Sequence, residues 1–364
     1  MTDPLRNETL PRLTSLRYLA ALFVVGHHVA VLMMPKSGVE SAASYGYVGV
    51  GFFFVLSGFI LTWNRREDMP VRFFYGRRFA RVYPLCLLTA LIAIPISFAL
   101  SYRPPLWPTV SNLLLLHAWV PSTTWITSLN TVSWSLSCEA FFYALFPFLA
   151  VALSKVPARW VIACAAAYLV VGYVLAVLVL PHPRAALVLY YNPAYRVGEF
   201  VLGIGLALLV RTGYRGRVSL TVALAALVPA LVLTIVLAHA TGGIVPRTRG
   251  ISTLVFAPVF CLIIVAAVTA DLGARPGWLR SRTAVALGEA SFALYMIHYL
   301  PLLVFLHVHG RLGSTPVSLM VGAAYTIVIT ASAWVVYRWF ERPIESWLRA
   351  RIGTPGARGT QSVK

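Results

Sequence analysis

The stretch "LRYLAALFVVGHHVAVLMM" (Leu16–Met34) has the composition of a membrane helix but contains ionisable residues. Its length suits the roughly 20 residues with which an α-helix crosses a bilayer. It nevertheless carries Arg17 near its start and two histidines, His27 and His28, beyond its middle. Ionisable groups in hydrocarbon are costly, so they occur where they pair, line a wet cavity or take part in chemistry. The stretch therefore predicts a membrane protein with a polar site inside it.

The composition agrees with this prediction. The 364 residues are 59% hydrophobic and 11% charged, whereas a soluble domain carries roughly 25% charged residues. Apolar stretches follow one another along the chain without a polar domain between them. We predict an all-α polytopic membrane protein, a bundle of about ten transmembrane helices. The predicted spans are 16–34, 47–64, 83–101, 132–153, 159–180, 194–212, 217–239, 250–271, 284–308 and 314–338.

One further apolar segment, "SNLLLLHAWV" (111–120), is too short to cross a bilayer and is predicted to be re-entrant or interfacial. The predicted organisation is a cytoplasmic N-terminal arm (1–15), a transmembrane domain (16–346) and a cytoplasmic C-terminal tail (347–364). We expect the tail to be disordered. The first span is too long and too polar for a removable signal peptide.

The formal charge of +19 would suit a nucleic-acid-binding protein, but its distribution indicates membrane topology instead. With the N-terminus inside the cell, the cytoplasmic segments hold most of the 30 lysines and arginines, as in 65–82. The outer segments, such as 101–131, hold few. Cytoplasmic enrichment of these residues is the usual pattern in membrane proteins. We therefore expect cytoplasmic termini, location in the plasma membrane and no nucleic-acid partner.

The four cysteines lie in apolar stretches without paired or metal-ligand spacing: Cys86, Cys138, Cys164 and Cys261. They are predicted to be small buried hydrophobic residues rather than disulfides or zinc ligands. The sequence contains no metal-binding motif and no P-loop, and we expect a function that needs no metal.

Helix geometry relates Arg17 to only one of the two histidines. Arg17 and His28 are eleven positions apart, close to three turns of 3.6 residues, so both lie on one face of the first helix. They are separated along the axis by roughly 16 Å, at 1.5 Å per residue. His27 is rotated by about 100° from that face. Alone, the pattern fits a topological anchor and a hydrogen-bonded histidine as well as a site in which both residues act.

Three arginines stand within one helical turn of "FFYGRRFARVYP" (73–84): Arg77, Arg78 and Arg81. Guanidinium groups at a membrane surface suit a multiply phosphorylated ligand because they bind phosphate oxygens in pairs of hydrogen bonds. They equally suit anionic lipid headgroups and membrane topology.

Two other stretches contain polar residues among apolar ones. "TVSWSLSCEAFFYALFP" (131–147) buries Glu139 in an apolar helix, where a carboxylate would pair with a cation or orient a histidine. "YVGVGFFFVLSGFILTW" (47–63) combines glycines with Ser57, which allows a neighbouring helix or a ligand to approach closely.

Several motifs occur in order and together resemble the acyltransferase-3 family of integral membrane O-acyltransferases. They are Arg17 with His28, "FFFVLSGF" (52–59), "RRFARVYP" (77–84), "WSLSCEAFFYALFP" (134–147), "YRVGEFVLGIGLA" (195–207), "LGEASFALYMIHYLP" (287–301) and "ERPIE" (341–345). The resemblance covers about residues 12–346. Two departures are His27, which doubles the histidine, and the expected lack of the extracytoplasmic hydrolase-like domain that many members carry.

The resemblance implies transfer of an acyl group from cytoplasmic acyl-CoA to a hydroxyl on a sugar, a lipid-linked glycan or a small secondary metabolite. We expect acetyl-CoA as the donor. The family's arginine-and-histidine motif falls on Arg17 and His28, and its acidic position falls on Glu139. Its arginine-rich segment falls on Arg77, Arg78 and Arg81.

These residues suit the implied chemistry. Histidine titrates near neutrality, so we predict His28 as the general base that takes the proton of the attacking hydroxyl. Glu139 would orient that imidazole, as the acid of a triad does, or act as the base itself. Arg17 and the three arginines of 73–84 would bind acyl-CoA. Ser57 is a candidate for the acceptor site.

Other ionisable residues have simpler explanations. His298 is either a hydrogen-bonded histidine near the end of a span or a second acceptor-site candidate. Arg196 and Glu199 are expected to neutralise each other at i,i+3. Glu341 is expected to form a structural clamp with the neighbouring arginines 338 and 342.

Two other functions fit buried ionisable residues: a transporter or flippase for a glycolipid or small metabolite, and a scaffold that binds polar lipids. Transporters commonly contain two related halves, which this sequence does not show, and a scaffold leaves the alignment of Arg17 with His28 unexplained. As acceptor we favour a small glycosylated metabolite such as a macrolide over a surface polysaccharide. The acyl length, the side of transfer and the oligomeric state stay open.

Overall fold

Ten long apolar helical segments dominate the computed structural model, and each is long and apolar enough to cross a membrane. The structure describes residues 8–35, 40, 43–240, 245–313 and 315–353, without the side chains of 182 and 245–248. No β-strand occurs in these ranges. The predicted fold class, an all-α polytopic membrane protein, is confirmed.

The described helices, in chain order, are α1 (Pro11–Met33), α2 (Gly49–Trp63), α3 (Val71–Ala99), α4 (Leu106–Leu113), α5 (Thr123–Ile126), α6 (Trp134–Leu153), α7 (Ala158–Val179), α8 (His182–Tyr191), α9 (Pro193–Arg211), α10 (Leu220–Ala225), α11 (Leu227–Ala240), α12 (Val245–Leu272), α13 (Arg282–Glu289), α14 (Ser291–Ile297), α15 (Tyr299–His309), α16 (Pro316–Val336) and α17 (Arg342–Ile352). A π-helical turn, Tyr337–Glu341, joins α16 to α17.

Two helices begin earlier than the predicted spans. α1 begins at Pro11 rather than at 16, because proline is favoured in the first turn, where its missing N–H is not needed. α3 begins at Val71 rather than at 83 and continues through Pro84 and Pro95. In a membrane helix, neighbouring helices and side-chain hydroxyls can satisfy the carbonyls that a proline leaves free.

The predicted disorder of the tail from 347 is wrong for its first residues, which are helical as far as Ile352. Two contacts explain this order: Arg349 pairs with Glu345 one turn earlier, and Ile352 packs against Gly76 of α3. The rest of the tail, from 354, and the N-terminal residues 1–7 lie outside the described residues.

Contacts join the segments that the charge pattern assigns to the same side of the membrane. On the predicted cytoplasmic side, Arg12 pairs with Asp271 at 2.6 Å and Arg65 donates to the Ala150 carbonyl at 2.8 Å. On the outer side, the Leu312 amide donates to the Met33 carbonyl at 2.7 Å. A missing or additional crossing between such partners would place them on opposite sides, so these contacts agree with ten crossings.

The segment 111–120 folds back on the predicted outer end of α6 instead of crossing. α4 is only eight residues long, and the Ser137 hydroxyl donates to the Leu115 carbonyl at 2.6 Å. Ser133 contacts His117 at 3.3 Å. The prediction that this segment is not a span is confirmed.

The most extensive contact between described helices is that of α2 with α9. A Cβ on Gly58 would collide with the Phe200 carbonyl, and one on Gly203 would collide with the Val55 carbonyl. The glycines of the α2 motif therefore allow two backbones to touch, which is the packing explanation for that motif.

Beside this contact, Arg196 and Glu199 form the predicted buried pair. Their side chains are 2% and 1% exposed, with Nε and Oε2 3.0 Å apart. Arg196 also donates to the Thr253 hydroxyl at 2.8 Å. The prediction that these two charges neutralise each other is confirmed.

The cysteines are free thiols. Cys86 and Cys138 are buried as predicted, and Cys261 is partly buried. The prediction is wrong for Cys164, which is exposed on α7, because an apolar residue of a span can face lipid as well as the core.

Replacing Gly58 by alanine should destabilise the protein by roughly 1–3 kcal/mol, the usual cost of overpacking a core. The added methyl meets the Phe200 backbone, which cannot move without shifting α9. The melting temperature of the detergent-purified protein measures the effect. Gly26→Ala on α1 is the matched control, because no neighbouring atom lies within 4 Å of its added Cβ. Equal melting temperatures of the two variants would contradict the close contact.

Topology is testable with single cysteines placed in a variant whose four natural cysteines are alanine. Glu67→Cys lies between α2 and α3 and should react with an impermeant maleimide only after the cells are opened. Arg103→Cys lies between α3 and α4 and should react in intact cells. Both residues are exposed. Strong labelling of position 67 from outside would overturn the orientation.

Candidate active site

A cavity of about 140 Å³ lies inside the bundle between α1, α2, α3, α6 and α14. It brings together five residues that the sequence predicted as functional: Arg17, Ser57, Arg78, Arg81 and Glu139. These residues are far apart in the chain, and the helix packing places them around one space.

The cavity extends from the predicted cytoplasmic side towards the outer half of the bundle. Arg78 and Arg81 lie in the first half of α3, whereas Val50 and Ser135 lie in the first turns of α2 and α6, at their predicted outer ends. Between these ends the walls are largely apolar, with Phe53 as an example. An elongated ligand with an anionic end would fit such a space.

Arg17 and Arg78 form no ion pair with any residue in the described ranges. The Nε atom of Arg78 is buried and has no hydrogen-bond partner within the same part of the chain. Its guanidinium lies 6.0 Å from the ring centroids of Phe74 and Tyr143. Two partly buried guanidinium groups with no carboxylate at ion-pair distance favour an anionic ligand.

Arg81 differs from these two because carboxylates of the C-terminal region already hold it. Its Nη1 atom lies 2.5 Å from Glu341 and 2.9 Å from Glu345. The predicted clamp of Glu341 with arginines 338 and 342 is therefore wrong. The π-helical turn directs Glu341, which is 3% exposed, towards α3 instead.

Arg77 is not among the residues that line the cavity. Around the helix, Arg81 and Val82, which line the cavity, flank Arg78, whereas Arg77 lies on the far side of Arg81. The predicted cluster of three arginines is therefore divided: Arg78 and Arg81 face the cavity, and Arg77 does not.

Glu139 lies in the cavity and accepts a hydrogen bond of 2.6 Å from the Tyr143 hydroxyl, one turn later on α6. It also interacts electrostatically with Arg17, Arg78 and Arg81. The prediction that Glu139 orients His28 is not supported, because the carboxylate lies near Arg17. His28 stands roughly 16 Å further along α1, at 1.5 Å per residue.

His28 instead contacts the other predicted histidine, His298, at the break between α14 and α15. The His28 Nδ1 atom lies 2.9 Å from the His298 Nε2 atom. The His298 Nδ1 atom lies 2.8 Å from the Tyr295 carbonyl. Neither histidine lines the cavity, but Tyr295 does, so the cavity and the histidine pair meet at this residue.

His27 has a separate partner, the Ala43 carbonyl, 3.2 Å from its Nδ1 atom. Its ring also lies 5.6 Å from that of Tyr47. The predicted difference between the two histidines is thus present in the structure: His28 faces α14, and His27 faces the outer connection between α1 and α2.

Aromatic residues lie next to His28 and His27, on the predicted outer side of the bundle. Four of these residues and the arginine that packs on them are called the outer aromatic group: Tyr47, Tyr190, Tyr191, Tyr299 and Arg249. The Tyr299 ring lies 5.0 Å from that of His28, and the Tyr47 ring lies 5.3 Å from that of Tyr190. The Arg249 guanidinium lies 4.7 Å above the Tyr190 ring. Flat apolar faces with a few hydrogen-bonding groups are typical of small-molecule sites.

Sequence reasoning missed three features of the site. It did not identify Tyr143 as the partner of Glu139, or Tyr295 as the link between the cavity and the histidines. It also did not pair His28 with His298, which is 270 positions away in the chain. Only the Glu139–Tyr143 contact had a signal in the sequence, the i,i+4 spacing of the two residues.

The family described as "Acyltransferase domain" matches residues 10–338. Acyltransferase MdmB of Streptomyces mycarofaciens is 38% identical over 328 residues, which cover 82% of this chain and 80% of that protein. O-acetyltransferase OatA of Staphylococcus aureus (strain NCTC 8325 / PS 47) is 24% identical over 363 residues, 92% of this chain but only 57% of OatA.

The peptidoglycan O-acetyltransferase OatA of Listeria monocytogenes is 24% identical over 157 residues, 38% of this chain and 24% of that protein. No solved structure matches the chain.

Proposed function

This chain belongs to the acyltransferase-3 family and is a membrane acyltransferase, and on this basis we propose a specific reaction. The enzyme transfers an acyl group, with acetyl favoured, from acyl-CoA to a hydroxyl of a sugar, a glycan or a glycosylated small metabolite such as a macrolide. A transporter or flippase, the alternative from sequence, does not accord with the family.

One observation carries the proposal: a basic cavity leads from the predicted cytoplasmic side towards a histidine. Arg17 and Arg78, which lack ion-pair partners among the described residues, would bind phosphate groups of the donor. The apolar wall at Phe53 and Phe54 would hold the donor's arm. The thioester would then lie at the outer end of the cavity, near Tyr295.

His28 is proposed as the general base. In the reaction the hydroxyl oxygen of the acceptor attacks the thioester carbonyl, a C–O bond forms and the C–S bond breaks. His28 takes the hydroxyl proton and returns it to the leaving thiolate, so the products are the ester and free CoA thiol. Glu139, hydrogen-bonded to Tyr143 among arginines, is assigned to the donor cavity rather than to the base.

The acceptor is proposed to approach from the outer side of His28, along the outer aromatic group. Tyr47 and Tyr299 offer flat faces to a sugar ring, and Arg249 offers hydrogen-bond donors. The names of the two OatA proteins support O-acetylation, and that of the Listeria protein supports a glycan acceptor. We propose that the enzyme acts in the plasma membrane.

The direct test uses the purified protein with acetyl-CoA labelled in the acetyl group and a panel of acceptors. The panel pairs glycosylated metabolites with their aglycones and includes cell-wall glycan fragments. We expect label in a glycosylated acceptor together with release of free CoA thiol. Binding or transport of an acceptor without covalent label would contradict the proposed reaction.

Arg78→Ala should raise the KM for acetyl-CoA on the order of 10- to 100-fold, the usual loss for a hydrogen bond to a charged group. The expected effect on kcat is smaller, because Arg78 lies at the cytoplasmic end of the cavity. Arg77→Ala is the matched control: it removes the same charge from the neighbouring position, which does not line the cavity. An equal rise in KM for both variants would contradict a specific donor contact of Arg78 and favour a role of the arginines in topology.

His28→Ala should lower kcat by roughly 10²–10⁴, the usual contribution of a general base. His27→Ala should keep a substantial fraction of the activity, since its imidazole is hydrogen-bonded to Ala43 instead of His298. Initial rates of folded, monodisperse variants at saturating acetyl-CoA measure both. A fully active His28→Ala enzyme would refute the assignment of the base.

A further inference from the structure

We infer that His298 is a positioning residue that sets which nitrogen of His28 carries the proton. The inference rests on the proposed role of His28 as general base and adds a residue that the proposed reaction does not otherwise use. It follows from a chain of three groups: the Tyr295 carbonyl, the His298 ring and the His28 ring.

The chain has only one arrangement of protons when both rings are neutral. A carbonyl oxygen can only accept, so the His298 Nδ1 atom, 2.8 Å from the Tyr295 oxygen, carries a hydrogen and donates it. The Leu294 carbonyl, 3.2 Å from the same nitrogen, can also only accept a hydrogen bond from it. The other nitrogen of a neutral imidazole has a lone pair, so His298 Nε2 is an acceptor.

His28 must then donate to His298 from its Nδ1 atom, across the 2.9 Å contact. Its Nε2 atom keeps the lone pair, which is the form that a general base needs. A second group that fixes the tautomer of a functional histidine is usually a carboxylate or a backbone carbonyl. Here the carbonyl of Tyr295 acts through an intervening imidazole.

The backbone that carries His298 is fixed by several contacts. Asn130 donates to the Met296 carbonyl at 2.8 Å, and Tyr325 donates to the His298 carbonyl. Pro301 interrupts the helix here, because it has no N–H for the carbonyl four residues earlier and its ring crowds that carbonyl. The break separates α14 from α15 and leaves His298 at the junction.

The position is also fully enclosed. His298 is 0% exposed, whereas His28 is partly exposed. His298 therefore has no surface that an acceptor could contact. Its predicted alternative role, as an acceptor-site residue, is not favoured. After proton transfer, the His28 Nδ1–H still donates to the neutral His298, so the contact holds throughout the reaction.

Two amide variants separate this role from simple packing. In His298→Gln the side-chain amide oxygen reaches the place of Nε2 and can accept from His28. In His298→Asn the shorter amide reaches only the place of Nδ1, so the contact with His28 is lost. Loss of the group that orients a metal-ligating histidine typically costs 10- to 100-fold in activity, and we expect the same range here.

We expect His298→Asn to lose about 100-fold in kcat and His298→Gln to lose about tenfold or less. The KM for acetyl-CoA should be unchanged in both, because His298 does not line the cavity. Equal loss in both folded variants, or no loss in either, would overturn the inference. The wild-type transfer reaction tests the proposed function separately.

Solid-state ¹⁵N NMR of the histidine-labelled protein in lipid provides a readout that does not depend on activity. The His28 signals are those lost in His28→Ala. We expect a protonated Nδ1 and an unprotonated Nε2 in the wild type and in His298→Gln, and a mixture of tautomers in His298→Asn. A protonated Nε2 in the wild type would refute the positioning role even if acyl transfer is observed.

Discussion

Hydrocarbon cannot solvate an ionisable side chain, and this constraint explains most of the polar contacts inside the bundle. Nearly every ionisable group described here has a partner from the protein. The partnerships are Arg12 with Asp271, Arg196 with Glu199, Arg81 with Glu341, Glu139 with Tyr143, and His28 with His298. Arg17 and Arg78 stand out within the described ranges because no carboxylate lies at ion-pair distance from them while they face a cavity. An anion from outside the protein, bound beside these two arginines, would therefore neutralise their charge.

Local pattern was enough to predict the architecture. Hydrophobic length identified the spans, and the distribution of arginine assigned their ends to two sides, which the contacts between segments match. The i,i+3 spacing predicted the pair of Arg196 with Glu199, and the glycines of α2 predicted a close helix contact. These features depend on residues within a few turns of one another, so the sequence contains them directly.

The site contacts that the sequence did not predict correctly depend on segments that are far apart in the chain. Helix spacing placed Arg17 and His28 on one face but could not indicate which helix each residue meets. Glu139 was paired with His28 because it is an acid in an apolar span, whereas packing sets it beside Tyr143 and brings His298 to the imidazole. Periodicity alone also could not show that Arg77 turns away from the cavity that Arg78 lines.

The carboxylates that hold Arg81 come from the last helical region of the described chain, whereas Arg17 and His28 lie in the first helix. A ribosome delivers these parts in order, with almost the whole bundle made between them. Until Glu341 has emerged, Arg81 has no carboxylate from the π-helical turn, and until the junction of α14 and α15 has been made, His28 lacks its contact with His298. The basic cavity and the histidine pair are therefore completed only near the end of synthesis. A truncated chain inserted in the membrane would contain the first helix but neither the finished cavity nor the histidine pair.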